Sequence, residues 1–254
     1  MDVTVFNELK DFKIKLFKSH EEKLSEFSSW AIWDEDITNT EIIEKKIDKL
    51  NGRVIFVALN FSGERTKNWK IWNNFHCGEG DKNLRDLLSV PEYEGAYITD
   101  LIKNRPESKS EELMKELTDE EINYNFNIFF QEIEMLKSEN IKMYLFGRGV
   151  EILFKKYLKK QENHEKIVNL KQKVIKCQAI YHYSKRYPNS VKIAQYQLNI
   201  HGHGDTQKPK IFWPPLWPFS QSFFIISISL FIFRIPYFLV MSLINNLTLL
   251  LNFS

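Results

Sequence analysis

Hydrophobic and polar positions follow two periodicities along this chain, one typical of helices and one typical of buried strands. Four runs are almost continuously apolar and β-branched, as expected for strands covered on both faces. These runs are residues 53–60, 95–102, 142–146 and 173–181. Helical spacing is present in residues 1–27, 41–50, 110–139 with a break near Thr118, and 149–160. Strands that alternate with helices predict an α/β domain with a parallel four-stranded sheet and helices on both faces.

The distribution of charge divides the chain after Lys210. Only Arg234 of the 35 Lys and Arg residues lies beyond that point, and none of the 33 carboxylates does. We therefore expect an α/β domain in residues 1–200, a linker in residues 201–218 and an apolar tail in residues 219–254. The tail is long enough to form a membrane segment. The alternative is that the tail has no function. A formal net charge of +2 excludes a polybasic nucleic-acid tail and an acidic disordered protein.

The cysteine content and the amino-terminal residues indicate the cellular compartment and the kinds of site to expect in the domain. Cys77 and Cys177 are too few for a disulfide framework or a four-cysteine metal site. The first residues lack the uninterrupted apolar run of a signal peptide, so we expect a cytoplasmic protein, with membrane association through the tail as an addition. His201 and His203 are flanked by glycines and are interpreted as part of the linker. We predict neither a metal nor a cofactor.

Candidate functional residues follow the predicted strands, because the loops of a parallel sheet leave together at its carboxyl edge. The four strand ends carry Asn60, Asp100, Arg148 and His182. The loop after the first strand is rich in aromatic residues between positions 69 and 76. The sequence has no GxxxxGK[ST], no GxGxxG after the first strand and no GxSxG. These absences disfavour nucleotide-triphosphate hydrolysis, dehydrogenation and serine hydrolysis.

Two of the strand ends resemble the motifs of a known family. Residues 58–62 (ALNFS) resemble a G-x-N-P-G motif after the first strand, and residues 182–184 (HYS) resemble an H-P-S motif after the last one. These are the motifs of the uracil-DNA glycosylase superfamily, and residues 95–103 resemble its second strand. The resemblance covers roughly residues 30–200. It implies a three-layer sandwich around a parallel four-stranded sheet, DNA as the partner, and hydrolysis of the N-glycosidic bond of a modified base without a cofactor.

The resemblance also assigns roles to individual residues. Asn60 would hold the attacking water, and His182 would donate a hydrogen bond to the base oxygen that gains charge. Phe75 would stack on the base after its extrusion from the DNA. From the residues alone, Asn60 could equally be a turn residue, and Phe75 could be part of the core.

Four further polar residues are assigned to DNA contacts by the resemblance. Ser62 and Ser184 would hold phosphates, and Lys185 and Arg186 would press on the DNA backbone or fill the gap left by the flipped base.

The second strand end departs from the family pattern in a way that affects the choice of base. Asp100 stands where family members that bind uracil often have asparagine. An ionised carboxylate only accepts hydrogen bonds, so Asp100 would face the uracil O4 atom with like polarity unless burial raises its pKa. A helix cap is the structural alternative for Asp100. The sequence therefore does not decide whether the base is uracil or a related one. The alternative function is that of a non-catalytic module that binds nucleic acid or a nucleobase.

Overall fold

The computed structural model describes residues 1–61, 69–77, 79–103, 105–107, 109–160 and 164–183. The predicted linker and apolar tail lie outside these residues. Within the described ranges, no helix combines the length and the hydropathy that a bilayer span requires.

The described chain alternates between helices and strands. Its helices are α1 (Val3–Asp11), α2 (Glu41–Lys45), α3 (Glu79–Leu88), α4 (Ser110–Glu116), α5 (Asp119–Met135), α6 (Gly147–Leu158) and α7 (His164–Lys173). Its strands are β1 (Lys13–Lys15), β2 (Glu21–Lys23), β3 (Ser28–Trp30), β4 (Asn51–Asn60), β5 (Ala96–Ile102), β6 (Ile141–Phe146) and β7 (Val174–Ile180).

Five strands form the central sheet, in the order β3-β5-β4-β6-β7. Strands β5, β4, β6 and β7 pair in parallel and coincide with the four strands predicted from the sequence. Strand β3 pairs antiparallel with β5 and adds a fifth strand at the edge. The prediction of a four-stranded, purely parallel sheet is corrected at this point. A strand of three residues is too short to produce a periodic pattern, so the sequence did not reveal it.

Helices cover both faces of this sheet. On one face Phe56 and Tyr144 share a buried cluster with Leu84 of α3. On the other face α5 and α6 contact β4, β5 and β6, and their Phe129 and Phe154 side chains are fully buried. Because side chains on both faces of β4, β5 and β6 are covered, these strands are apolar at most positions, which explains their continuous pattern. The edge strand β7 is covered less completely, since Ile175 is 59 % exposed.

The predicted helices are confirmed in the second half of the chain and partly wrong at its start. The expected break near residue 118 is real, since the Thr118 hydroxyl caps α5 by accepting from the Glu121 backbone N–H at 3.2 Å. Residues 13–23, predicted as helical, instead form a β1-β2 hairpin. There Ile14 and Leu16 are buried while Lys13 is exposed, an alternation with the period of a strand. Helices α3 and α7 were not predicted.

Candidate functional site

A cleft of about 820 Å³ opens at the carboxyl ends of β4, β6 and β7. The chain leaves β4 toward β5 on one side and leaves β6 toward β7 on the other. The loops therefore diverge between β4 and β6, at the point where open α/β sheets bind ligands. The volume lies within the range of roughly 300–1,000 Å³ that is usual for small-molecule sites. Its polar lining includes Asn60, Glu107, Glu111, Lys115, Arg148 and His182.

Asn60 ends β4 at the edge of this cleft and is half-buried. Its Nδ2 donates toward the backbone oxygens of Phe61 at 2.9 Å, Arg105 at 2.8 Å and Glu107 at 2.8 Å. Carbonyl oxygens only accept, so these contacts fix which end of the amide is nitrogen. The nitrogen therefore holds the loop after β5, and Oδ1 is the atom of the amide that can accept from water or a ligand.

Replacing Asn60 by aspartate should detach this loop. A carboxylate oxygen would face backbone oxygens at about hydrogen-bond distance, and the resulting repulsion should destabilise the protein by about 1–3 kcal/mol. Asn51, at the other end of β4, offers a matched control because its Oδ1 accepts from the Arg53 backbone N–H at 3.0 Å. Asn51→Asp keeps that acceptor and should change stability by less than about 0.5 kcal/mol. Urea denaturation of both variants tests the difference, and equal losses would contradict the assigned amide orientation.

His182 follows β7 and forms part of the cleft wall. Its ring stacks on the Tyr183 ring with centroids 4.5 Å apart and meets the Phe146 ring at 6.1 Å. The Tyr183 and Phe146 rings lie 5.2 Å apart, so the three rings form one group. A half-buried imidazole in this position can donate a hydrogen bond to a bound ligand. The two residues predicted for catalysis, Asn60 and His182, thus line the same cleft.

Charges of both signs line the remainder of the cleft. Arg148 is exposed in the first turn of α6, and Lys115 and Glu111 are exposed on α4. Glu107, in the loop between β5 and α4, is half-buried. The cleft therefore presents both cationic and anionic side chains to a ligand.

Asp100 does not lie among the residues that line this cleft. Its side chain is 1 % exposed, and its Oδ2 accepts from Asn74 Nδ2 at 2.7 Å. Its Oδ1 has no hydrogen-bond partner among the described residues. Burial raises the pKa of Asp100 to about 7, although the Asn74 hydrogen bond and the nearby Lys103 both lower it. In this position the carboxyl group anchors the loop of residues 69–77 to β5.

Phe75 is also absent from the residues that line this cleft. It is 4 % exposed and packs in the core cluster that contains Leu84 of α3. Its loop is fixed to the β3 edge, where the Ser29 hydroxyl donates to the Trp72 backbone oxygen at 2.9 Å. The aromatic residues of this loop therefore contribute to the packing of the protein interior.

The other predicted contacts with DNA cannot be placed. Ser62, Ser184, Lys185 and Arg186 lie outside the described residues. Within the described part of the chain, no group of three or more His, Cys, Asp or Glu side chains could hold a metal ion.

Sequence reasoning missed several residues of the cleft, among them Glu107 and Tyr183. Glu107 was not considered because it follows the second strand by several residues, in a loop whose course depends on the side chain of Asn60. Tyr183 stands at the proline position of the H-P-S motif, and its ring packs on His182. The rule that strand ends converge could have drawn attention to residues 103–109 as a whole.

The chain was also compared with known proteins. No protein-family model matches it, and no curated protein is significantly similar to it in sequence. A function must therefore be argued from the cleft and its side chains.

Proposed function

We propose that this chain is a DNA glycosylase-like hydrolase that excises a modified base, uracil or a related one, from DNA. The observation that carries the proposal is that Asn60 and His182, far apart in the sequence, line one cleft at the carboxyl edge of the sheet. They are the residues to which the resemblance to the uracil-DNA glycosylase superfamily assigns catalysis. Four parallel strands with helices on both faces support the corresponding three-layer sandwich.

His182 acts on the base in this proposal. Cleavage of the N-glycosidic bond leaves an electron pair on the base, and a base oxygen gains negative charge that an imidazole N–H can stabilise. The base must leave the DNA stack to reach the cleft. Tyr183, which is half-buried in the cleft wall, offers aromatic surface there, in place of the buried Phe75. Stacking of this kind is worth about 1–3 kcal/mol per base.

Asn60 acts on the water. Its nitrogen is held by backbone oxygens, so Oδ1 has a defined direction and can orient a water molecule beside the sugar. Arg148 supplies a cation at the cleft for a flanking phosphate, in addition to Lys185 and Arg186. These contacts position the DNA, while the lining of the cleft selects the base.

Single-turnover release of free base from uracil- and hypoxanthine-containing oligonucleotides tests this function. We expect Asn60→Ala and His182→Ala each to slow release by about 100-fold or more. His20→Ala is the matched control, since His20 is an exposed histidine in the β1-β2 hairpin. It should release base at the wild-type rate. Release that is equally fast in all variants would refute the assigned site, and thermal melting of each variant separates this result from misfolding.

A non-catalytic module that binds nucleic acid or a nucleobase is the second candidate. The observation that favours it is that Asn60 uses its amide nitrogen to hold a loop, a structural task that needs no chemistry. Salt-dependent binding of DNA, weakened by Arg148→Glu and without release of base, would support this function instead.

A further inference from the structure

Glu107 brings a carboxylate into the cleft from the loop between β5 and α4. Its backbone oxygen accepts from Asn60 Nδ2 at 2.8 Å. Its side-chain Oε1 accepts from the Lys109 backbone N–H at 2.8 Å. Because both contacts restrain the loop, the Glu107 side chain is held in the lining of the same cleft as Asn60.

The proposed reaction needs a group that can take a proton, and Asn60 is not one. An amide oxygen can orient water by accepting a hydrogen bond, but it is a very poor base. The sugar also develops oxocarbenium character as the base leaves, and a nearby carboxylate stabilises that positive charge. The carboxylates that line the described part of the cleft belong to Glu107 and Glu111.

Glu107 fits this requirement better than Glu111 does. Glu111 is exposed on α4, whereas Glu107 is half-buried. The backbone oxygen of Glu107 also accepts a hydrogen bond from Asn60, the residue that would hold the water. A carboxylate that is withdrawn from solvent acts more strongly on a developing cation than an exposed one. Arg148 and Lys115, the cations that line the same cleft, would contact phosphate in this proposal.

We propose, on the premise of the glycosylase function above, that Glu107 is the catalytic base of the cleft. The oxygen of the water held by Asn60 forms a bond to the sugar C1′ atom while the C1′–N bond to the base breaks. The electron pair of that bond leaves with the base, whose oxygen accepts a hydrogen bond from His182. One proton of the water passes to the Glu107 carboxylate and then to solvent, which also protonates the released base.

Replacement of Glu107 by glutamine in the full chain tests the catalytic role. Gln keeps an oxygen that can accept from the Lys109 N–H, so the loop should stay in place. We expect single-turnover base release to slow by about 100-fold or more. The Kd for the oligonucleotide should change by less than about threefold. Glu116→Gln is the matched control, because Glu116 lies 3.6 Å from Arg105 of the same loop and is 63 % exposed. It should retain the wild-type rate.

A binding measurement tests the same role without turnover. Oligonucleotides with a neutral tetrahydrofuran or a cationic pyrrolidine at the abasic position differ mainly in the charge at the sugar. We expect the wild-type chain and Glu116→Gln to bind the cationic analogue about tenfold more tightly than the neutral one. Glu107→Gln should bind both analogues with similar Kd values.

The outcomes separate the two proposals. A wild-type chain that releases no base overturns the glycosylase function, and the role of Glu107 falls with it. Base release that survives in Glu107→Gln, or an undiminished preference for the cationic analogue, overturns the role of Glu107 and leaves the glycosylase function intact. Effects that follow Glu111→Gln instead of Glu107→Gln also overturn the assignment.

Discussion

Replacing Lys103 by methionine is expected to lower the free energy of unfolding by about 3–5 kcal/mol. Nζ of Lys103 and Oε2 of Glu132 lie 2.9 Å apart, and both side chains are fully buried. Oε1 of Glu132 accepts from the hydroxyls of Tyr97 at 2.7 Å and Thr99 at 2.5 Å. Oε2 has no hydrogen-bond partner among the described residues, and the charge of Lys103 lies beside it. Methionine fills a similar volume but leaves a buried carboxylate without its counter-charge.

An exposed ion pair with the same separation provides the control. Nζ of Lys137 and Oε2 of Glu8 are also 2.9 Å apart, with side chains 56 % and 45 % exposed. Water solvates both groups when either partner is removed, so Lys137→Met should cost less than about 1 kcal/mol. Urea denaturation of the two methionine variants therefore isolates the effect of burial.

A second replacement checks the cause of the loss. Glu132→Gln in the Lys103→Met background removes the stranded charge, while its side-chain oxygen can still accept from Tyr97 and Thr99. The double variant should be more stable than Lys103→Met alone. Two results would contradict a buried ion pair between Lys103 and Glu132. One is a double variant that is less stable than Lys103→Met, and the other is an equal loss of unfolding free energy in Lys103→Met and Lys137→Met.

Replacing Asp100 by asparagine is expected to change the pH dependence of stability. The pKa of Asp100 is raised from 3.8 to about 7 in the folded protein, mainly by burial. The folded state therefore binds this proton more tightly, so the stability it contributes is full below about pH 4 and is lost as pH rises through 7. Between about pH 5 and pH 8.5 the free energy of unfolding of the wild-type chain should fall by about 3 kcal/mol because of Asp100. Asp100→Asn should not show this decrease. Denaturation by urea at the two pH values measures this difference.

His76 has the opposite effect on the pH profile. Burial lowers its pKa to about 4, so the unfolded chain takes up a proton first as pH falls below about 6.5, and stability is lost on acidification. The wild-type chain and Asp100→Asn both carry His76, so its contribution cancels in their difference. Asp48→Asn, at an exposed carboxylate, controls for the loss of one negative charge. If the free energy of unfolding depends on pH in the same way for the wild-type chain and Asp100→Asn, the raised pKa of Asp100 is contradicted.

Strands β4, β5 and β6 could be predicted because they are buried on both faces. Residues 54–59, for example, contain no polar side chain, a composition that suits a doubly covered strand. The β1-β2 hairpin and β3 could not be predicted, since each strand has three residues. The identity of β3 is also decided by a partner distant in the sequence, as in the pairing of Ser29 with Ile98.

The site was partly predictable for a related reason. Asn60 is the last residue of β4 and His182 lies two residues beyond β7, and the topology alone brings the ends of parallel strands to one edge. Asp100 ends no strand, since β5 continues to Ile102. The assignment of Phe75 depended on a loop whose direction is set by buried contacts, such as the one from Asn74 to Asp100. Local sequence carries no signal for contacts of that kind.

Release of free base by the full chain is the most direct test of the cleft as a base-excision site. Otherwise identical oligonucleotides carrying uracil, hypoxanthine, thymine or cytosine at one position are incubated with the chain, and the released base is quantified by mass spectrometry. We predict release of uracil or hypoxanthine but not of thymine or cytosine, with loss of that release when Asn60 and His182 are both replaced by alanine. No free base from any oligonucleotide, at a protein concentration that saturates DNA binding, would contradict the proposed function.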